Sequence, residues 1–258
     1  LKPWEQAALA QCSVFRGGFT AEAAEAVVSL ESVAEAPEVL EVLMTLRSKS
    51  LVRGYYPAEA QAELRYGLFE SIREYALEKL LELKIDSAVR ERHARFFSGV
   101  GKRLSAEAEG NPAVLDALSR EREKLNAVFQ HAVESGLRGP RALQAVRALD
   151  PLLSVRGPFG AHLAMLDAAL AMLQDQDRAH KLLGLEARGR VRQLRGKVAE
   201  AALDFQEMLT LAQGQGAREL EGRALLYLAN IERLRANRAE GRRLYERALE
   251  TLRQVGDR

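Results

Sequence analysis

The sequence predicts a mostly α-helical protein carrying one small β-hairpin. Three observations point there. Ala, Leu, Glu and Arg dominate the 258 residues, and all four are good helix formers, while aromatics make up only 6%. Only two short segments near the front are convincingly β-prone. Beyond about residue 140, small and bulky residues recur with a period of 40, the mark of stacked helical repeats.

Apolar residues at 47% and charged residues at 29% suffice for a core and a solvated face, which excludes wholesale disorder. The net charge of +2 demands neither a nucleic acid nor a membrane as partner. The single Cys12 rules out an internal disulfide framework and a multi-cysteine zinc site, and fits a reducing, cytoplasmic setting. No apolar run reaches the roughly 18 to 20 residues that span a bilayer, and no signal peptide is visible. The chain starts without methionine, so it reads as a fragment of a longer protein.

Element by element, Trp4 to Phe15 reads as a helix with Trp4, Ala8 and Cys12 on one face, broken by Arg16-Gly17-Gly18. Thr20 caps a second helix, Ala21 to about Leu30. Pro37 opens a third, Glu38 to about Arg47, whose apolar stripe is Val39, Leu40, Val42, Leu43 and Leu46. Leu51 to Tyr56 and Leu64 to Phe69 flank a polar loop containing Pro57 and read as a hairpin. A helix follows from Glu70 to Leu83. Three short helices, a hairpin and a helix make a winged-helix pattern, assigned to residues 1–83. Residues 84–139 hold two helical stretches, Ser87 to about Ala108 and Pro112 to about Gly136, read as a helical connector. Residues 140–258 hold the repeats.

In the repeats, Ala161, Ala201 and Gly241 are followed four residues later by Met165, Phe205 and Tyr245, and three later again by Ala168, Met208 and Ala248. A turn precedes each set, at Arg156-Gly157, Arg195-Gly196 and Ala236-Asn237. Small, large, small at i, i+4 and i+7 describes one face of a helix packed closely on its partner. Truncation of the array is expected to leave Leu244, Leu249 and Leu252 uncovered.

This spacing, with Gly189 and Ala229 as the small residues of the preceding helices, resembles tetratricopeptide repeats. Their usual period is about 34 residues, and 40 resembles the lengthened form of bacterial ATPase regulators. The front of the chain resembles the same family. "LAQCSVFRGGF" (Leu9 to Phe19) with Ala21 to Glu25, "LRSKSLV" (Leu46 to Val52) and "RYGLFESIREYALEKL" (Arg65 to Leu80) look like the winged helix of STAND-class signal-transduction ATPases. "RERHARFF" (Arg90 to Phe97) and "EREKLNAVFQHA" (Glu121 to Ala132) look like its connector.

The resemblance implies a preceding nucleotide-binding domain. ATP is expected there, with no cofactor in this fragment, because Gly17-Gly18 and Gly157-Pro158-Phe159-Gly160 lack the Lys-Ser/Thr of a phosphate-binding loop. It further implies a regulatory winged helix docked on that ATPase domain, and repeats that bind a signal protein or peptide on a concave α-superhelix face.

No enzyme chemistry stands out. His93, His131, His162 and His180 form no close ligand pair, and no nucleophile elbow is present. His93, between Arg92 and Arg95, is expected to dock one module on the next. Glu246 with Arg243 and Glu121 with Lys124 read as solvated surface pairs. Strand alternation predicts that one of Tyr55 and Tyr56 is buried and the other outward.

DNA is not the expected partner. Glu38 and Glu41 sit at the start of the third helix, where a groove reader needs donors, and Arg47, Lys49 and Arg53 gather only at its exit. A DNA-binding transcription-factor fragment is the alternative. On the repeats, first helices line the concave side. That places Leu183, Glu186, Arg190 and Gln193 of one copy and Arg223, Leu226, Asn230 and Arg233 of the next there. The helix from His180 to Lys197 holds six cations against one acid. It reads either as a solvated face or as a basic groove in which Arg190, Arg223, Asn230 and Arg233 grip a carboxylate-rich peptide.

Overall fold

The computed structural model describes residues 1–56 and all others except 58–62, 137–138 and 257–258, with Pro57 included. The chain is mostly α-helical with one two-stranded sheet among the described residues. It divides into two compact units, Leu1–His131 and Ala132–Arg258.

The first unit opens with α1 (Pro3–Cys12), α2 (Ala21–Val27) and α3 (Val39–Ser48). Pro3 at the first helical position fits α1's start, where its missing N–H costs nothing. The buried Glu5 carboxylate accepts from the Lys2 N–H at 2.7 Å and from Lys49 Nζ at 2.6 and 2.8 Å, tying the start of α1 to the end of α3. Hydrogen bonds from Lys49 and from the Lys2 amide hold its pKa below the usual carboxylate range. Thr20 caps α2, its Oγ1 accepting from the Ala23 N–H at 3.2 Å.

α2 stops at Val27, short of Leu30, because the next backbone is claimed by a side chain. The Gln11 amide donates to the Ser29 carbonyl at 2.7 Å and accepts from the Ser29 N–H at 2.9 Å, directly after Val28, whose backbone is extended. On α3, Val42, Leu43 and Leu46 are buried as expected, while Leu40 and Met44 stand 38% and 62% exposed.

Strands β1 (Arg53–Tyr55) and β2 (Arg65–Gly67) pair antiparallel, with Gly54 opposite Tyr66. Phe19 extends the ribbon through bridges to Tyr66 at 2.8 and 2.9 Å. The predicted hairpin is therefore present, and the tip of its loop lies outside the described residues. Tyr55 and Tyr56 are both exposed, at 36% and 69%, which corrects the expectation that one is buried. Alternation buries one of two neighbours only where a core covers a sheet face; here Tyr55 lies over Gly18 and under the Arg53 guanidinium.

α4 (Glu70–Glu82) packs on α1, and α5 (Asp86–Ala106) packs on α2. α6 (Pro112–Glu134) completes the unit, whose limit falls in its last turn. The segment expected as a connector thus supplies helices to the first unit itself.

The second unit is a run of helical pairs: α7 (Gly139–Arg156) with α8 (Phe159–Ala171), α9 (Arg178–Leu194) with α10 (Val198–Gln215), and α11 (Arg218–Leu234) with α12 (Arg238–Gln254). Each helix packs on the next in sequence, and α7 also packs on α9. The turn before each second helix holds one left-handed residue: Gly157, Gly196 and Ala236, at φ 68°, 72° and 61°.

Ala201, Phe205, Met208, Gly241 and Ala248 are buried on the inner faces of α10 and α12, with Tyr245 half-buried. The first copy departs from the expected register. Ala161 is exposed and Met165 only half-buried, whereas His162, Leu166 and Ala169 are fully buried. The reason lies in where the helices start. His162, Ala201 and Gly241 are each the fourth residue of their helix, and the turn before α8 has two residues (157–158) where the others have three (195–197 and 235–237). Counting forty residues back from Ala201 lands one position short of the inward face.

Candidate partner-binding face

Two groups of charged side chains stand out, one in each unit. In the first unit the group is interior. Lys124 on α6 is fully buried; its Nζ donates to the Gly18 and Arg120 carbonyls at 2.7 Å each and lies 3.1 Å from Glu121 Oε2. Arg65 from β2 donates to the same Gly18 carbonyl at 3.0 Å and closes on the other Glu121 oxygen. Burial lowers the Lys124 pKa, opposed by the Glu121 carboxylate. Glu121 and Lys124 are therefore not the solvated pair that their i, i+3 spacing suggests. Their partners lie 56 and 106 residues away in sequence, so no local pattern carried that signal.

His93 sits nearby on α5, 3% exposed, with its ring 4.6 Å from Phe97 and 5.6 Å from Phe15. Burial, then the Lys124 cation, push its pKa down to about 3. It is a neutral interior residue that joins α5 to the turn after α1 within one compact unit. The described residues hold no cluster of three or more potential metal ligands.

In the second unit the charges form a row along the first helices of the pairs. Glu186 on α9 is buried; it pairs with Arg223 and accepts from Tyr227 Oη at 2.9 Å, both on α11. Burial pulls the Arg223 pKa down, but Glu186 and Tyr227 outweigh it and the net shift is upward. Burial, then Glu186, raise the Tyr227 phenol. The Tyr227 ring stacks on Phe205 at 4.7 Å. Phe205 in turn fills the space left by Gly189, where an added Cβ would fall 2.5 Å from the ring. The packing motif of α9 and α10 thus positions the acid–base pair.

Toward α7, Arg190 lies 4.0 Å from Asp150, whose other oxygen is 3.1 Å from the buried His162 Nε2. Toward α12, Asn230 accepts from Tyr245 Oη at 2.7 Å. Gln193 is half-buried, and Arg233 is exposed with no ion pair among the described residues.

The expected gripping set is therefore divided. Arg190 and Arg233 face solvent, while Arg223 is committed to Glu186 and Asn230 to Tyr245. Most of the remaining cations of α9 are likewise neutralised. Arg188 and Arg192 converge on buried Asp204 at 2.6 and 2.7 Å, Lys181 pairs with Glu207 at 2.7 Å, and Lys197 lies 3.5 Å from Glu200. Arg195 lies over the Phe159 ring. The helix is an ion-paired one rather than a basic groove. At the far end Glu246 takes Arg242, not Arg243, which pairs with Glu240.

One residue of this row was missed by the sequence reading. Arg147 on α7 is half-buried, and the carboxylates that act on its charge are Glu186 and Asp150. Burial lowers its pKa, partly opposed by Glu186 and Asp150 and reinforced by Arg223 and Arg190. As one arginine in the mostly apolar run Ala142 to Leu153, it carried no motif that singled it out.

No protein-family model matches the chain. Sequence relatives do. Proteins of Mycobacterium bovis and of two Mycobacterium tuberculosis strains, each named as a candidate HTH-type transcriptional regulator, are 31% identical over 179 residues. The chain resembles part of an HTH-type regulator. The match covers 69% of this chain and 19% of each relative, so the chain spans about a fifth of the length of those curated relatives. Among solved structures, a signal-transduction ATPase with numerous domains (STAND) carrying a tetratricopeptide repeat sensor, from Pyrococcus horikoshii, aligns over 99% of this chain and 45% of its own. Its TM-score is 0.34 and its identity 14%. No helix among the described residues is long and apolar enough to cross a membrane.

Proposed function

We propose that this chain is a non-catalytic, protein-binding and regulatory part of a STAND-type ATPase regulator. In this reading the first unit is a winged helix with its helical extension, and the second is a tetratricopeptide-like sensor. The sensor takes a protein or peptide on the face lined by α7, α9 and α11. Occupancy shifts a balance between closed and open arrangements of the larger protein, which requires the ligand to prefer one of them. The observation that carries the reading is the row of half-buried charged and polar side chains that joins α7, α9 and α11 from Arg147 to Asn230. Repeat arrays use extended concave surfaces of this kind to bind their ligands.

A photo-crosslinking amino acid at Arg233, on that face, tests it against the same group at Arg242 on α12. Capture of a partner from Arg233 and not from Arg242 is the expected result; identical capture from both, or none, rejects it.

The rival reading, a DNA-binding fragment, draws on the names of the relatives. The outward side of α3 opposes it, because Leu40, Glu41 and Met44 are exposed there, offering apolar and acidic groups where phosphate contacts need cations. Duplex affinity that falls steeply with salt would restore it.

A further inference from the structure

The second unit repeats a surface feature as regularly as its core. Val155, Leu194 and Leu234 are 65%, 68% and 51% exposed. Each stands at the end of the first helix of its pair, four residues ahead of the start of the second. Each lies two residues before the left-handed turn residue, Gly157, Gly196 or Ala236, and is followed directly by an arginine, Arg156, Arg195 or Arg235. Helix capping does not account for the three aliphatics, because the apolar contact that accompanies a helix end takes its members out of water.

We propose that Val155, Leu194 and Leu234 form a docking ladder for an acidic amphipathic helix of the partner protein, with apolar residues seven positions apart. This deepens the function proposed above and rests on it. Charge selects an acidic partner. The three turns, residues 155–158, 194–197 and 234–237, carry Arg156, Arg195, Lys197 and Arg235 and no acid. Glu200 and Glu232 reach Lys197 and Arg235 only as exposed pairs, which hold such side chains weakly. Spacing selects a helix. α7 packs on α9, and Glu186 of α9 meets Arg223 and Tyr227 of α11, so the first helices lie side by side. Packed helices are about 8–10 Å apart, and seven residues of α-helix rise about 10 Å and return to nearly the same face. Three residues of a strand cover about the same length but turn the side chain to the opposite face. A polyproline segment would call for an aromatic-lined groove, and these rungs are aliphatic.

The test uses the full chain and a fluorescent, end-blocked peptide of about 20 residues, rich in alanine and glutamate, with leucines seven apart. The controls are the same peptide with its leucines scrambled, the same peptide with lysine for glutamate, and phosphatidylglycerol vesicles. Val155→Ser, Leu194→Ser and Leu234→Ser are made singly and together, with helicity checked by circular dichroism. Leu203→Ser removes a leucine of α10 that is 72% exposed and lies off the ladder. The expected result is saturable binding of the acidic peptide, weakened at least about threefold by each ladder substitution and at least about tenfold by all three, with Leu203→Ser like wild type. No saturable binding, equal binding of either control peptide, or an equal loss in Leu203→Ser overturns the proposal. Vesicle binding that depends on the three aliphatics while the peptide gives none overturns it too, in favour of a lipid surface. Partner capture from position 233 that survives the triple substitution would leave the proposed function standing and remove only the ladder.

Discussion

The two units handle their cations differently. The first encloses cations with their carboxylates: Glu5, Arg65, Glu121 and Lys124 lie at or near full burial, and Arg65 and Lys124 share the Gly18 backbone carbonyl of the turn between α1 and α2. The second buries carboxylates such as Glu186 and Asp204 but spreads its cations along one layer of helices at the boundary with solvent, where Arg147, Arg190 and Arg223 keep part of their exposure. Enclosed charge serves as a staple, because a buried ion with all its partners present fixes one arrangement of the chain and has nothing left for a ligand. Half-exposed charge on a repeat layer remains available. The contrast teaches that burial, more than charge count, separates the charges that hold this molecule together from those able to meet another one.

The largest expected effect breaks the staple. Glu121→Ala leaves Arg65 and Lys124 as uncompensated buried cations, and destabilisation by about 3–5 kcal/mol is expected. Urea unfolding followed by the fluorescence of Trp4, the single tryptophan, reports it from within the first unit. Arg242→Ala, which removes an exposed pair from the second unit, is expected to stay within about 0.5 kcal/mol. Equal effects of the two would erase the contrast.

Next in size is the packing beneath the charged layer. Gly189→Ala drives a methyl into the Phe205 ring, and a cost of about 1–3 kcal/mol is expected by thermal unfolding. Gly241→Ala behaves differently, although it occupies the inward small position of α12, because its nearest neighbours lie at 3.5–3.8 Å. There the gain in helix propensity, about 1 kcal/mol, is expected to show as a raised Tm. Ala236→Gly relieves a left-handed alanine in the turn ahead of α12, and a similar gain of about 1 kcal/mol is expected.

The smallest effect is a pH dependence of the first unit. The Glu5 pKa is depressed in the folded chain, so its contribution is present above the ordinary value of 4.5 and is lost as pH falls through the folded value. Wild-type stability, measured by urea midpoint, is expected to fall over that acidic range more than that of Glu5→Gln; parallel curves would contradict the role given to Lys49.

Much of this was legible in the sequence, for identifiable reasons. Helix α3 was readable from Val42, Leu43 and Leu46, and the hairpin from its two β-prone flanks. The second and third pairs were readable because Ala201 with Phe205 and Gly241 with Tyr245 keep a fixed distance from their helix starts. The first pair was misplaced by one residue because Ala161 mimics the small position while His162 fills it, its ring set beside Asp150. What stayed hidden was non-local. Nothing near Glu121 in sequence announces Arg65 or Gly18, and nothing near Arg147 announces Glu186.

The central structural claim is that the inward face of each second helix is counted from that helix's own start. Thiol labelling of single-cysteine substitutions tests it directly. The native Cys12 is buried, and burial pushes its pKa up to about 12, so the background is silent. The account predicts fast labelling of Ala161→Cys and strong protection of Ala201→Cys and Gly241→Cys in the folded chain. Protection of Ala161→Cys equal to the other two would contradict it.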